Sequence, residues 1–408
     1  MPSNLDPLRL TAAQLAGVRD ALAAAILDGL RKPRQEILAL PAYLRRPAAD
    51  IKGRAVALDV GGTNMRAAEV ELGNGAARLI GAAVENNLML QATGREFSAA
   101  EFFDAQAKIV AAVAQERDIA VGYCFSYPAT ITPEREAVLI QWTKGIRIRG
   151  VEGKPVGALL RAALKRRGKE VSAIPVLNDT VASLLAGAAL APDFARPIGV
   201  IVGTGTNMAG FFPVRAIAKL GTPNGWRADE MMAVNLESGA YKPAAILTEC
   251  DAALDASLRP EERNRQWFEK AVSGAYLPRL LRAAAGADSC AKAGFDPDDS
   301  KVDAGTVVAL RDHPQLREAA TLIVERSADL IAAGLAALLD AYRMTGGCDA
   351  RTGILVEGTL FHKTPGYRER VASRLKELAP HTEAAFIPND GRGVPANMLG
   401  AAGAALSR

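Results

Sequence analysis

The sequence predicts an α/β fold built from two similar domains that face one another across a cleft. Three observations lead there. The chain has 408 residues, more than one hydrophobic core usually supports. Strand patterns alternate with helix patterns along its length, as in sheets covered by helices. A strand–turn–strand unit also occurs twice: Gly62-Thr63-Asn64-Met65 returns as Gly205-Thr206-Asn207-Met208, with Gly62 and Gly205 143 residues apart.

Composition narrows the function classes. The chain is 49% apolar and 23% charged, which suits a globular protein and argues against disorder. Its net charge of +4 is spread along the chain, and the clusters "LRRP" and "LKRRG" are short, so no nucleic-acid partner is expected. Cys124, Cys250, Cys290 and Cys348 show no CxxC spacing, and the three histidines are isolated, so no zinc set forms. Scattered free thiols suit a reducing compartment.

Near the N-terminus, "TAAQLAGVRDALAAAILDGL" opens with a capping box, Thr11 to Gln14. It then sets Leu15, Val18, Leu22, Ile26 and Leu30 at helical spacing. Asp20 and Asp28 leave an apolar run too short to span a bilayer. No membrane partner is expected, and a soluble cytoplasmic protein is.

The elements follow in order. A Pro-rich connection, "LPAYLRRPAAD", leads to a strand pair over 55–72 and a helix over 99–117 with a second capping box, Ser98 to Glu101. Next come the strand "IAVGYCFS", a loop carrying "QWTKG", and a helix with Pro155 at its start and Gly168 past its end. The strand "AIPVL" runs through "NDT" into the helix "VASLLAGAAL". The second strand pair precedes a polar loop over 219–233. Long helices over 261–286 and 315–343, the strand "GILVEG", a further helix, the strand "AAFIP" and a closing helix complete the chain.

The chemistry-bearing residues cluster at turns. Glycine turns leave backbone N–H groups free and lack side-chain bulk, so the two repeated turns can cradle phosphate oxygens; two ordinary hairpins are the plainer reading. The copies differ at one informative position, where Asp59 of the first aligns with Val202 of the second. A carboxylate ending a buried strand needs compensation, from a hydrated Mg²⁺ on phosphates or from the turn it caps. Neither the P-loop pattern nor a strand-following G-x-G-x-x-G is present.

Opposite residues read two ways as well. Asn178 and Asp179 sit where a strand ends and a helix begins, the usual ligand position in open α/β sheets and also an ordinary N-cap. Asp179 there can take the proton of an attacking hydroxyl. Lys144 of "QWTKG", beside Thr143, can neutralise transferring charge or simply be a surface lysine. Asn235 and Glu237 of "NLESG", with Glu269, offer the mix of amides and carboxylates that recognises a polyhydroxylated substrate. For Glu269, "EERNRQWFEK" also reads as a solvated helix face.

With these residues assembled, the sequence resembles the hexokinase family of the sugar kinase and actin superfamily, from about residue 55 to the end. The resemblance rests on ordered blocks: "LDVGGTNMR", "CFSYP", "QWTKG", "VLNDT", "GVIVGTGTN", "NLESGAY", "QWFEKAVSGAYL" and "LVEGTLF". It implies a duplicated ribonuclease-H-like (actin-like ATPase) fold, with residues 55–178 plus 396–408 as the small domain and 1–54 plus 179–395 as the large one. It implies an ATP- and Mg²⁺-dependent hexose kinase acting on the 6-hydroxyl of glucose or a related hexose, with Asp179 as catalytic base and Lys144 as a sugar and charge-stabilising contact. Ser126, Thr143, Asn178, Asn207, Glu237 and Glu269 would bind sugar hydroxyls. Asp59, Gly61, Gly62, Thr63, Asn64, Arg66 and Thr204 would line the Mg-ATP phosphates, Asp59 facing the metal, and Gly358 and Thr359 would lie near the adenosine. Ser238 stands where the family usually has Trp. A non-catalytic sugar sensor on the same fold is the alternative, and retention of both Asp179 and Lys144 argues against it.

Overall fold

Two sheets with the same internal order organise the chain. They are seen in a computed structural model that describes residues 5–62, 64–73, 76–88, 96–142, 146–299, 301–346, 351–388 and 393–407. The strands are β1 (Leu40–Arg45), β2 (Gly53–Val60), β3 (Met65–Gly73), β4 (Ala76–Asn86), β5 (Phe97–Ser98), β6 (Asp118–Phe125), β7 (Ala129–Ile131) and β8 (Ala137–Leu139). After them come β9 (Ile148–Arg149), β10 (Glu170–Ala173), β11 (Val176–Leu177), β12 (Ile198–Val202), β13 (Thr206–Pro213), β14 (Met231–Asn235), β15 (Thr352–Glu357) and β16 (Ala384–Phe386).

The first sheet runs β4-β3-β2-β6-β10 and the second β14-β13-β12-β15-β16, with β1 added beyond β14. In each, two antiparallel pairings are followed by two parallel ones. This shared order is the duplicated ribonuclease-H-like unit of the actin-like ATPase fold, and the two glycine turns occupy equivalent β2–β3 and β12–β13 corners.

The helices are α1 (Ala12–Arg31), α2 (Ala99–Val113), α3 (Val156–Arg166), α4 (Asp179–Leu190), α5 (Glu249–Ser257), α6 (Trp267–Val272) and α7 (Leu277–Ala285). Next are α8 (Ala287–Lys292), α9 (Ala304–Ala309), α10 (Arg317–Met344), α11 (Thr359–Lys363), α12 (Tyr367–Leu378) and α13 (Ala396–Leu406). Both expected capping boxes form, Thr11 with Gln14 and Ser98 with Glu101, each satisfying N–H groups that an open helix start leaves bare. Leu15, Val18, Leu22, Ile26 and Leu30 are all buried, as their spacing predicts. No helix among the described residues is long and apolar enough to cross a membrane.

One apolar cluster lies between the sheets. It joins Ala57 and Cys124 of the first sheet to Phe211 and Leu355 of the second through Val181, Leu184, Leu399 and Ala401 of α4 and α13. These helices meet backbone to backbone, since a Cβ at Gly400 would collide with the carbonyl of Ala182. The strand ends on either side are therefore held at a fixed spacing by close-packed chain.

Four expectations need correction. The Pro-rich connection holds β1, which pairs with β14 at the sheet edge, where Pro41 is tolerated. The loop over 219–233 stops earlier, because Met231 already begins β14. "AIPVL" is not one strand: the chain breaks at Ile174-Pro175 between β10 and β11, as a proline lacking an N–H permits. The helix over 261–286 is broken into α6 and α7, with Asn264 and Gln266 in the left-handed region at φ 57° and 54°. Lys270, buried in α6, bonds Asp255 Oδ1 at 2.5 Å and the Glu262 carbonyl at 2.6 Å, which pins the short helix.

Candidate active site

The first turn grows from β2. Asp59 lies opposite Arg66 across the β2–β3 pair and beside Cys124 of β6. Its Oδ2 accepts a 2.6 Å hydrogen bond from Asn397 Nδ2 of α13, and Arg66 Nη2 stands 3.7 Å away. Burial pushes the Asp59 carboxyl up, Arg66 opposes that, and Asp179 adds to it. The turn closes when Gly61 N–H donates to the Asn64 carbonyl at 3.1 Å. Gly62 lies half-buried within it, and Asn64 reaches Glu85 Oε2 at 3.4 Å. Thr63 lies outside the described residues.

The second turn has no carboxylate of its own. Gly203 N–H donates to the Gly205 carbonyl at 3.0 Å, while the carbonyls of Gly203 and Thr204 accept from Gly274 and Ala275 at 2.7 and 3.1 Å. The break between α6 and α7 thus supplies the N–H groups that brace the turn from behind. Thr204 is exposed. Glu269, read from sequence as a possible solvated face, instead accepts from Thr206 N–H at 3.0 Å. Gly358, at φ 117°, begins α11 against this turn; its Cα would be 3.3 Å from a Cβ on Gly203. Thr359 is exposed in the first turn of α11.

Asp179 heads α4. Asn178 takes the N-cap role by accepting from Thr180 N–H at 2.8 Å, so the capping reading belongs to the neighbour. Asp179 Oδ1 also accepts from Thr180 N–H, at 2.7 Å. Because Leu177 of β11 lies level with Cys124, itself level with Asp59, the strand ends bring Asp59, Ser126 and Asp179 to one edge. Ser126 is half-buried there, its N–H donating to the Val60 carbonyl at 3.2 Å.

The second sheet contributes an amide–carboxylate chain. Asn207 Nδ2 donates to Asn235 Oδ1 and Asn235 Nδ2 to Glu237 Oε1, both at 2.7 Å. Asn207 Oδ1 accepts from Ser238 N–H at 3.1 Å, while the buried Ser238 hydroxyl has no hydrogen-bond partner among the described residues. Glu237 holds the left-handed conformation at φ 57°, a strain that residues at functional sites often carry. Burial pushes its carboxyl up and Asp179 adds to the effect. Thr143 and Lys144 lie outside the described residues.

Sequence reasoning missed Glu357, Ser183, Asn397 and Tyr127. Glu357 ends β15 level with Ile201, and burial, with Asp179 and Asp59 nearby, pushes it up to about 7. It accepts from Ser183 Oγ at 3.1 Å. "LVEGTLF" contained the signal, a carboxylate just before the glycine. For Asn397, 338 residues from its partner, nothing local could show the contact.

The site has an excess of acid. Burial raises the proton affinity of Asp59, Glu237 and Glu357, the charge of Asp179 adds to each, and Arg66 opposes the effect at Asp59. No set of three or more His, Cys, Asp or Glu side chains among the described residues is arranged to hold a metal alone. A hydrated divalent cation carried on phosphate oxygens would need one carboxylate, and Asp59 is the acid beside the first turn. The Arg66 Nε, buried without a hydrogen-bond partner among the described residues, offers a donor for an anion.

Comparison with known proteins decides the family. Two models, each described as hexokinase, match in succession, one over residues 2–189 and the other over 197–294 and 298–406. The chain belongs to the hexokinase family. Its match to human Hexokinase-3 is 28% identical and covers 100% of this chain but 47% of that protein, so the chain spans about half the length of the mammalian hexokinases it matches. Against Hexokinase-2 of Candida albicans it is 29% identical over 86% of this chain and 79% of that protein. The solved hexokinase from Schistosoma mansoni complexed with glucose is 26% identical, covers 97% of both chains and has a TM-score of 0.78. The two family models meet at the α4–β12 connection, where the hexokinase fold passes from one sheet to the next.

Proposed function

We propose that this chain is an ATP- and Mg²⁺-dependent hexose kinase that phosphorylates the 6-hydroxyl of glucose or a related hexose, with Asp179 as catalytic base. The observation that supports it most is that Asp179 stands near enough to Asp59 of the first sheet and to Glu237 and Glu357 of the second to raise the proton affinity of each. Membership of the hexokinase family and likeness to a structure holding glucose agree with that reading.

The hexose lies against Asn207, Glu237 and Glu269 on the side of one sheet and Ser126 and Asn178 on the side of the other, and the family resemblance adds Thr143 and Lys144 as contacts. Asp179 Oδ accepts the hydroxyl proton as that oxygen attacks the γ-phosphorus, and the bond to the β-phosphate oxygen breaks to release ADP. Mg²⁺, when bound, neutralises charge on the β- and γ-phosphates. Asp59 would hold the metal at the first turn, Arg66 would meet a phosphate oxygen, and Lys144 would offset charge on the transferring group. Gly61, Gly62 and Asn64 line the phosphates from one side and Thr204 from the other, and the family resemblance assigns Thr63 the same role. Gly358 and Thr359 lie beside the adenosine. We read residues 55–178 with 396–408 as the small domain and the remainder as the large one, and place the protein in the cytoplasm, where its free thiols suit a reducing medium.

Replacing the base tests the assignment. Asp179→Ala lowers kcat by about 10²–10⁴-fold, the usual share of a general base, while hexose affinity measured by calorimetry changes less than about five-fold. Near-normal turnover in that variant removes Asp179 from the mechanism.

A further inference from the structure

We propose that Tyr127 is a positioning residue that transmits hexose occupancy to the first phosphate turn. The inference rests on the hexose kinase reading and deepens it.

Tyr127 follows Ser126 in "CFSYP" and is 5% exposed, yet its side chain connects three separate segments. Its hydroxyl donates to the Gly61 carbonyl at 2.9 Å. Gly61 is also the residue whose N–H closes the turn onto Asn64. The ring meets the Trp142 ring edge-on at 4.8 Å and 76°, and packs on Phe125 at 5.1 Å. Trp142 directly precedes Thr143 and Lys144, and is anchored by its Nε1 donating to the Ile148 carbonyl at 3.0 Å and its backbone N–H donating to Glu152 at 3.1 Å.

The path therefore runs from the two hexose-facing segments, through one rigid ring, to the backbone that would cradle phosphate. Close-packed interiors transmit strain, and this ring is packed edge-on against Trp142. A phenylalanine would fill the same volume, so the hydroxyl is what adds the link to Gly61. A buried hydroxyl also needs a partner, and the glycine carbonyl provides it. Burial pushes the Tyr127 hydroxyl well up, so it remains a proton donor at every working pH. A hexose that orders Ser126 and the Trp142 segment thereby holds Gly61, and with it the N–H groups that follow, in the phosphate-ready conformation. Occupancy at one subsite would then lower the ordering cost at the other, which is positive coupling between ligands.

The test compares wild type with Tyr127→Phe by calorimetry, using Mg²⁺ and a non-hydrolysable ATP analogue, with and without saturating glucose. In the wild type, glucose tightens binding of the analogue. In Tyr127→Phe that enhancement falls by about 2- to 10-fold, the scale of one neutral hydrogen bond, while affinity for glucose alone stays within about two-fold. An undiminished enhancement in the variant overturns the inference. A wild type whose analogue affinity ignores glucose also overturns it, and glucose-dependent ADP release by that same wild type would leave the kinase reading standing. Hydrogen exchange on the wild type gives a second arm free of any folding defect: glucose alone slows exchange at Gly61, Gly62 and Asn64, and unchanged exchange there contradicts the proposal.

Discussion

The two glycine turns are copies of one scaffold that have divided two tasks. The β2–β3 turn is charged and open: Asp59, Arg66 and the reaching Asn397 gather at it, and among the described residues a Cβ on Gly61 would meet nothing nearer than the Asn64 carbonyl at 3.8 Å. The β12–β13 turn has Val202 at the counterpart of Asp59 and is backed by the chain itself, with Gly274, Ala275, Glu269 and Gly358 fixing its shape. Equivalent backbone thus serves charge on one side and geometry on the other. Substitutions should separate these roles.

The largest effect is expected at the charged turn. Asp59→Asn lowers kcat/KM for Mg-ATP by about 10²–10³-fold, as loss of one aimed electrostatic group does, with melting temperature little changed. A steady-state titration of Mg²⁺ against rate checks this, and normal Mg²⁺ dependence would give both turns the same role. Gly358→Ala acts through shape. Its Cβ would collide with the Val202 carbonyl at a φ reserved for glycine, so unfolding free energy falls by about 3 kcal/mol in a denaturant titration.

Glu357 sharpens the comparison, since it ends the strand paired with β12, which leads into the second turn. Its carboxyl is pushed up to about 7 from an ordinary 4.5, so the folded state keeps a proton that the unfolded state loses. Stability therefore declines as pH rises from about 4.5 to about 7, and the full cost of the ionised group is present above that window. Glu357→Gln removes the cost. Urea titrations should show the variant more stable by up to about 3 kcal/mol at pH 8, converging with wild type below pH 4.5. The smallest effect on the fold is Gly61→Ala. Its unfolding free energy stays within about 0.5 kcal/mol of wild type, because the added methyl fits ordinary contact, while affinity for Mg-ATP drops as the methyl enters the phosphate side.

The alternation of periods and the repeat made most of this architecture readable, because both signals are local. Capping boxes at Thr11 and Ser98 and the glycine corners needed only a few neighbouring residues. What escaped was set by distant packing. Pro41 disguised β1, whose place depends on pairing with β14 almost two hundred residues on. The helix break at Gln266 was hidden because a non-glycine residue takes positive φ only when its surroundings over-determine it. Glu269 looked solvated for the same reason: the break turns it toward Thr206. Glu357 had only the faint signal of a carboxylate before a glycine and Asn397 had none, and the convergence of β15 and α13 on Asp59 and Asp179 gives both their meaning.

The central claim is that these two turns clasp one nucleotide opposite a hexose hydroxyl addressed by Asp179. It is tested most directly by following ADP release from Mg-ATP with glucose, mannose, fructose, N-acetylglucosamine or no sugar, and locating the phosphate in the product by NMR. The account predicts hexose-dependent turnover with the phosphate on the 6-oxygen. Measurable hexose binding without ADP release for any of the four sugars would contradict it.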